Sequence, residues 1–144
     1  MSEKIPDLAD HHIFMLNKEI DADSAGEVIN FIMTRNLMNV KPKHIRLIVN
    51  SPGGDVTHAF ALIDIMKCSK IPVHTWGLGE IGSCAFMIFI AGQNGHRYIS
   101  KNTSILSHQY SWDSGEGKNH ELMARVREYK NTHHRIVEHY KKCT

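Results

Sequence analysis

Gly77-Leu78-Gly79-Glu80-Ile81-Gly82-Ser83-Cys84-Ala85-Phe86 joins a strand-like run to an apolar helix-like run. Its first six residues match the G-x-G-x-x-G pattern of a dinucleotide loop. Its seventh is a serine entering a helix, a position where a hydrolase can hold a nucleophile. The two readings require different surroundings. A dinucleotide loop wants an acidic residue about 20 positions on, to bind the ribose hydroxyl. After Glu80 no Asp or Glu occurs until Asp113, and the stretch follows a later strand instead of the first. The cofactor reading fails on context, and no cofactor is expected.

Working outward from this stretch, strands and helices alternate. Ile13–Leu16 reads as a short apolar strand. Ala25, Val28, Ile29, Ile32 and Met33 then recur at helical spacing behind an Asp/Ser-rich start. Ile45–Val49 is a buried strand closed by the turn Asn50-Ser51-Pro52-Gly53-Gly54-Asp55, and Ala59, Leu62, Ile63 and Met66 mark a second amphipathic helix. Pro72–Trp76 is a further strand, and Ser83–Ala91 a helix apolar nearly all round, hence central. Arg97–Ile99 and Ser104–His108 are strand-like and precede a long final helix. Its positions Leu122, Val126, Tyr129, His133, Ile136 and Tyr140 step by four and three, a coiled-coil-like seam that predicts a partner, most simply a neighbouring subunit. The alternation predicts an α/β fold of repeated βαβ units, with helices covering a parallel sheet.

Composition narrows the function classes. The 144 residues suit one domain, 1–144, with a single core. Seventeen Lys and Arg against 15 Asp and Glu are too balanced to indicate a nucleic-acid or membrane-surface partner. Three cysteines without a CxxC pair fit a reducing compartment, and with no charged-then-apolar leader the expectation is a cytoplasmic protein. Eleven histidines invite a metal. The nearest zincin-like run, His120-Glu121-Leu122-Met123-Ala124, has alanine where the second histidine belongs, so no metal is expected.

The nucleophile reading of Ser83 has support of its own. At the first turn of a buried helix, unpaired N–H groups and the helix dipole favour negative charge. A serine attack needs a base and an oxyanion hole of backbone donors. Pro52-Gly53-Gly54, at the end of a parallel strand, can bring an unobstructed N–H close to a ligand, and the Cys84 amide offers a second. His108, ending another apolar strand, is the candidate base. The surroundings are not a GxSxG elbow, since Ile81 and Ala85 stand where glycines belong. On the residues alone, Ser83 as nucleophile and Ser83 as ordinary helix cap both stay open.

The linked motifs Asn50-Ser51-Pro52-Gly53-Gly54, Gly79-Glu80-Ile81-Gly82-Ser83-Cys84, Ala91-Gly92 with Gly95-His96-Arg97, and Leu106-Ser107-His108-Gln109 resemble the proteolytic subunit family of the Clp protease, ClpP. Order and spacing agree, including the 25 residues from Ser83 to His108. The resemblance implies a ClpP/crotonase-like fold with a long protruding handle helix, about residues 116–142. It implies a serine-type endopeptidase that cleaves unfolded proteins and peptides through an acyl-enzyme. Ser83 becomes the nucleophile, His108 the general base, and the amides of Gly54 and Cys84 the oxyanion hole. Extended substrate would pair with Gly53, Asp55 and Val56 and with Gln109, Tyr110 and Ser111. Heptameric rings stacking into a tetradecamer through the handle helix are the implied assembly, with an AAA+ Clp ATPase as the family's partner.

The sequence also departs from the family pattern. The family's catalytic acid lies beyond the long helix, the chain stops at Thr144, and no residue matches that acid. Asp113 is the nearest acidic residue to His108. About a dozen residues precede Ile13, where the family carries a further helix and axial loops, so dependence on an ATPase is not expected. Glu80 replaces a small or apolar residue, and Tyr110 a common proline; such compactness is similar to that of phage-type members. These departures support an alternative, a catalytically impaired ring component that modulates a complete ClpP. A crotonase-type acyl-CoA enzyme shares the two-amide hole, but the Ser83 and His108 pair argues against it.

Overall fold

The computed structural model describes residues 7–109, 111 and 115–144. The chain forms two compact units, Met1–Ser107 and His108–Thr144. The first unit contains β1 (Ile13–Leu16), α1 (Ala22–Leu37), β2 (Ile45–Ser51), α2 (Val56–Cys68), β3 (Val73–Gly82), α3 (Cys84–Ile90), β4 (Arg97–Ile99) and β5 (Ser104–Leu106). A 3-10 turn, Leu8–His11, precedes β1.

All strand pairings are parallel, in the order β1-β2-β3-β4, and β5 also pairs with β3. Each crossover moves one strand further in the same direction. Right-handed crossovers therefore place α1, α2 and α3 on one face of the sheet. That face is the core: Leu16, Leu47, Val49 and Val73 from the strands meet Val28, Ile32, Leu62, Ile63 and Ile88 from the helices, all buried. Thr75 is a buried polar residue on this face, and its hydroxyl donates to the Phe89 carbonyl at 2.8 Å, which ties the end of α3 to β3.

The sheet's other face is lined differently. Strand alternation puts Arg46, His74, Trp76 and Tyr98 there, half-buried or exposed. The Arg46 guanidinium lies 4.6 Å above the Trp76 ring. His44, His74 and His96 form a face-to-face stack with ring centroids 4.2 and 4.1 Å apart. Burial, then the neighbouring His44 and His96 charges, push the His74 imidazole below its ordinary value of 6.5, although Gln93 offsets this with a 3.0 Å hydrogen bond. The folded protein thus binds this proton less readily than the unfolded chain does. The stability contributed by neutral His74 is complete above about pH 6.5 and declines as pH falls through that value towards the lower folded one. Urea unfolding at pH 7.5 and 5.5 should show a larger loss for the wild type than for His74→Gln. Equal losses in the two proteins would remove the stack from the cause.

β3 differs from the expectation. The sequence pattern ends this strand at Trp76, whereas β3 continues to Gly82. It can do so because both of its edges are paired to the end: Ser51 sits opposite Ile81 on one side, and Ser104–Leu106 opposite Glu80–Gly82 on the other. Between Val49 and Ser51 the register slips, with Val49 opposite Gly77 and Ser51 opposite Ile81. The Asn50 side chain spans the slip, accepting from the Glu80 amide at 3.0 Å and donating to Asn17 at 2.5 Å. A stretch that resembles a cofactor loop by its glycines is therefore a strand.

In the second unit, α4 spans Asn119–Cys143, against the expected 116–142. Gly115 and Gly117 disfavour an earlier start. The Glu121 carboxylate accepts from the Lys118 amide at 3.1 Å and closes the first turn. Further along, Glu128 pairs with Arg135, and Glu138 accepts from Lys141 at 3.1 Å. No helix among the described residues is long and apolar enough to cross a membrane.

Candidate active site at the end of the third strand

Ser83 stands between β3 and α3 with φ 52° and ψ −125°. A non-glycine residue at such angles is strained, by about 1–3 kcal/mol, and such strain persists only where the surroundings over-determine it. The surroundings here are explicit. The Ser83 amide donates to the Leu106 carbonyl at the end of β5 (2.6 Å), and the Ser83 carbonyl accepts from Phe86 (3.0 Å). The hydroxyl makes no capping hydrogen bond. Ser83 occupies the cap position, but its side chain does not cap. It is a sharp strand-to-helix turn, without the GxSxG spacing of a nucleophile elbow.

Gly53 explains how the turn closes. A Cβ on Gly53 would lie 2.7 Å from the Ser83 Cβ and 2.8 Å from the Gly82 carbonyl oxygen, and its φ is +104°. Only glycine allows this contact. The double glycine is thereby packed directly against the serine turn.

Gly54 is held in a defined orientation. The Ile20 amide donates to the Gly53 carbonyl, and the Asp55 amide to the Ile20 carbonyl, each at 2.8 Å. Both peptides are trans. Since carbonyl and N–H of a trans peptide point in opposite directions, the Gly53 carbonyl directed at Ile20 turns the Gly54 N–H away from it. The Gly54 carbonyl accepts from the Cys84 thiol at 3.3 Å. Gly54 itself is exposed. The Cys84 amide, at the first position of α3, has no acceptor within its own helix. Two backbone donors thus belong to the same short region as Ser83.

Burial pushes the Cys84 thiol up to about 11. It keeps its proton at neutral pH and is not a competing nucleophile. Among the described residues no group of three or more His, Cys, Asp or Glu side chains could hold a metal ion.

Asp55 caps α2 by accepting from the His58 amide at 2.9 Å, and Val56 is the first helical residue. Of the expected substrate-pairing positions, Val56 is therefore in a helix instead of an extended segment. His108, Gln109 and Ser111 are exposed and belong to the second unit. His108 follows Leu106, the acceptor of the Ser83 amide, by two residues. Tyr110 and Asp113 lie outside the described residues. Sequence reasoning missed Ile20, which orients the Gly54 peptide through its backbone; a lone apolar residue before a helix cap carries no signal of that pairing.

Two cavities, of about 310 and 240 Å³, flank Ser69 and Lys70. The larger is lined by Ile71–Val73, at the start of β3, and Ser83 lies past the other end of that strand. Neither cavity is lined by Ser83. The strained serine is the better guide, because backbone strain must be over-determined and a surface hollow need not be.

Residues 2–144 match the sequence model of the Clp protease family. The chain is 33% identical over 102 residues to the ATP-dependent Clp protease proteolytic subunit 1 of Rhodopirellula baltica, covering 71% of this chain and 44% of that protein. It is 32% identical over 95 residues to proteolytic subunit 2 of Treponema pallidum, covering 66% and 47%. Against proteolytic subunit 2 of Thermobifida fusca it is 32% identical over 103 residues, covering 72% and 50%. The chain thus spans about half the length of the curated relatives it matches. Among solved structures, the ClpP protease catalytic domain from Plasmodium falciparum superposes with a TM-score of 0.67 at 29% identity, covering 70% of this chain and 57% of that one. With its parallel sheet, its serine turn and a sequence match over nearly its full length, the chain belongs to the Clp protease family.

Proposed function

We propose that this chain is a serine-type endopeptidase subunit that cleaves unfolded polypeptides and peptides by acyl-enzyme chemistry. One observation carries the reading: a strained, uncapped serine at a strand-to-helix turn, packed against a double glycine whose amide is turned free. Membership of the Clp protease family supports it.

Ser83 Oγ attacks the scissile carbonyl carbon while His108 takes the hydroxyl proton. The tetrahedral oxyanion accepts from the Gly54 and Cys84 amides, donors already fixed in the folded chain and so costing little reorganisation. Collapse breaks the C–N bond, and His108 returns the proton to the leaving amine. Water then hydrolyses the acyl-enzyme by the same route. Substrate lies extended along Gln109, Tyr110 and Ser111, and backbone pairing gives broad sequence tolerance. The assembly is a homo-oligomeric ring, heptameric and stacked through α4, working in the cytoplasm.

The test is labelling by a fluorophosphonate probe, in which Ser83 Oγ bonds to phosphorus and fluoride leaves. Labelling of the wild type at Ser83 is expected, with a rate reduced at least about 10³-fold in His108→Ala, since the hydroxyl then lacks its base. A wild type that assembles but neither labels nor cleaves a fluorogenic peptide would overturn the reading in favour of a non-catalytic ring component.

A further inference from the structure

We propose that the Cys84 side chain is a positioning group for the oxyanion hole, its thiol holding the Gly54–Asp55 peptide so that the adjoining Gly54 amide keeps its direction. This rests on the peptidase reading of the site.

The peptides on either side of Gly54 are held unequally. The preceding one is fixed through its carbonyl by the Ile20 amide at 2.8 Å. The following one is fixed on one side by the Asp55 amide donating to Ile20 at 2.8 Å, and on the other by the Cys84 thiol donating to the Gly54 carbonyl at 3.3 Å. Cys84 thus grips the segment from the α3 side, opposite Ile20. Its backbone and side chain have separate tasks. The amide is itself one of the two proposed donors, and the side chain orients the segment that carries the other. Burial, at 2% exposure, excludes water from the sulfur and keeps it protonated, so it remains a donor throughout the neutral range. A thiol is a weak donor. Its contribution is therefore to geometry more than to stability, and small displacements of an oxyanion donor have large kinetic effects.

Cys84→Ala and Cys84→Ser separate this role from packing, because both lose the bulk of sulfur but only serine keeps a donor. Two readouts are needed. The infrared S–H stretch of Cys84, taken as the wild-type minus Cys84→Ala difference, reports the hydrogen bond without requiring activity. It should lie below the band of exposed Cys68, obtained in the same way with Cys68→Ala. Fluorophosphonate labelling over a concentration series gives a limiting rate and a half-saturating concentration. Cys84→Ala should lower the limiting rate about tenfold without moving half-saturation, and Cys84→Ser should recover to within about threefold of wild type. A free-thiol band, an alanine variant that labels like wild type, or alanine and serine variants that fall together would each overturn the positioning role with the peptidase reading intact. A wild type that never labels at Ser83 would overturn the peptidase reading and any catalytic role of the thiol with it. The infrared band would then still report whether the bond to Gly54 exists.

Discussion

Ser83→Ala should abolish fluorophosphonate labelling and lower peptide hydrolysis by roughly 10⁶-fold, the scale on which removal of a serine nucleophile acts when its partners work as a unit. Ser83→Gly should be equally inactive, yet more stable than the wild type. At φ 52° the serine carries strain of about 1–3 kcal/mol, which glycine relieves. Against this stands the greater chain entropy that glycine loses on folding, roughly 0.5–1 kcal/mol. The balance favours Ser83→Gly by about 1 kcal/mol, whereas Ser83→Ala keeps a Cβ and gains nothing comparable. Urea midpoints of the three proteins check this order. A glycine variant less stable than the alanine one would mean that the turn is not strained at Ser83, and the argument from strain to nucleophile would fail.

Gly54→Ala should damage stability and chemistry together. An added Cβ would collide with the Ile20 carbonyl oxygen and lie 2.8 Å from the Ile20 amide nitrogen, at φ +147°. Both obstacles are backbone atoms, which cannot rotate aside as a flexible side chain would. The pairing must open, losing two hydrogen bonds worth about 1 kcal/mol each and adding backbone strain of similar size, about 3 kcal/mol in all. The Gly54 amide moves with its peptide, so the labelling rate should fall by about 10²-fold or more. Gly26→Ala is the matched control. Gly26 is exposed within α1 with nothing within 4 Å of an added Cβ, and alanine there should stabilise by about 1 kcal/mol through helix propensity alone. If Gly54→Ala unfolds at the wild-type midpoint, Ile20 does not hold the segment.

The burial of α3 was legible because its apolar residues leave no polar face, and only an interior satisfies that pattern. The parallel order was legible from strands alternating with helices. The end of β3 was not. Gly77–Gly82 carries three glycines, and by propensity a glycine-rich run reads as a turn. It becomes strand because Ser51 and β5, brought from 30 positions earlier and 24 later, pair both its edges.

What the sequence by itself determined is the set of chemical groups and their order: a serine after Gly82, a double glycine before α2, and a histidine 25 residues beyond the serine. Each sits next to a strand or helix end that periodicity locates, so their neighbourhood could be read in one dimension. Tertiary structure alone decided their attitudes. Whether the Ser83 hydroxyl caps a helix or stays free depends on a backbone angle imposed by Leu106, Gly53 and Phe86. Where the Gly54 amide points depends on Ile20, 34 residues away in the chain. Local propensities amount to about 1 kcal/mol or less per residue, too little to choose a strained turn, and several mutually supporting long-range contacts are needed to hold one.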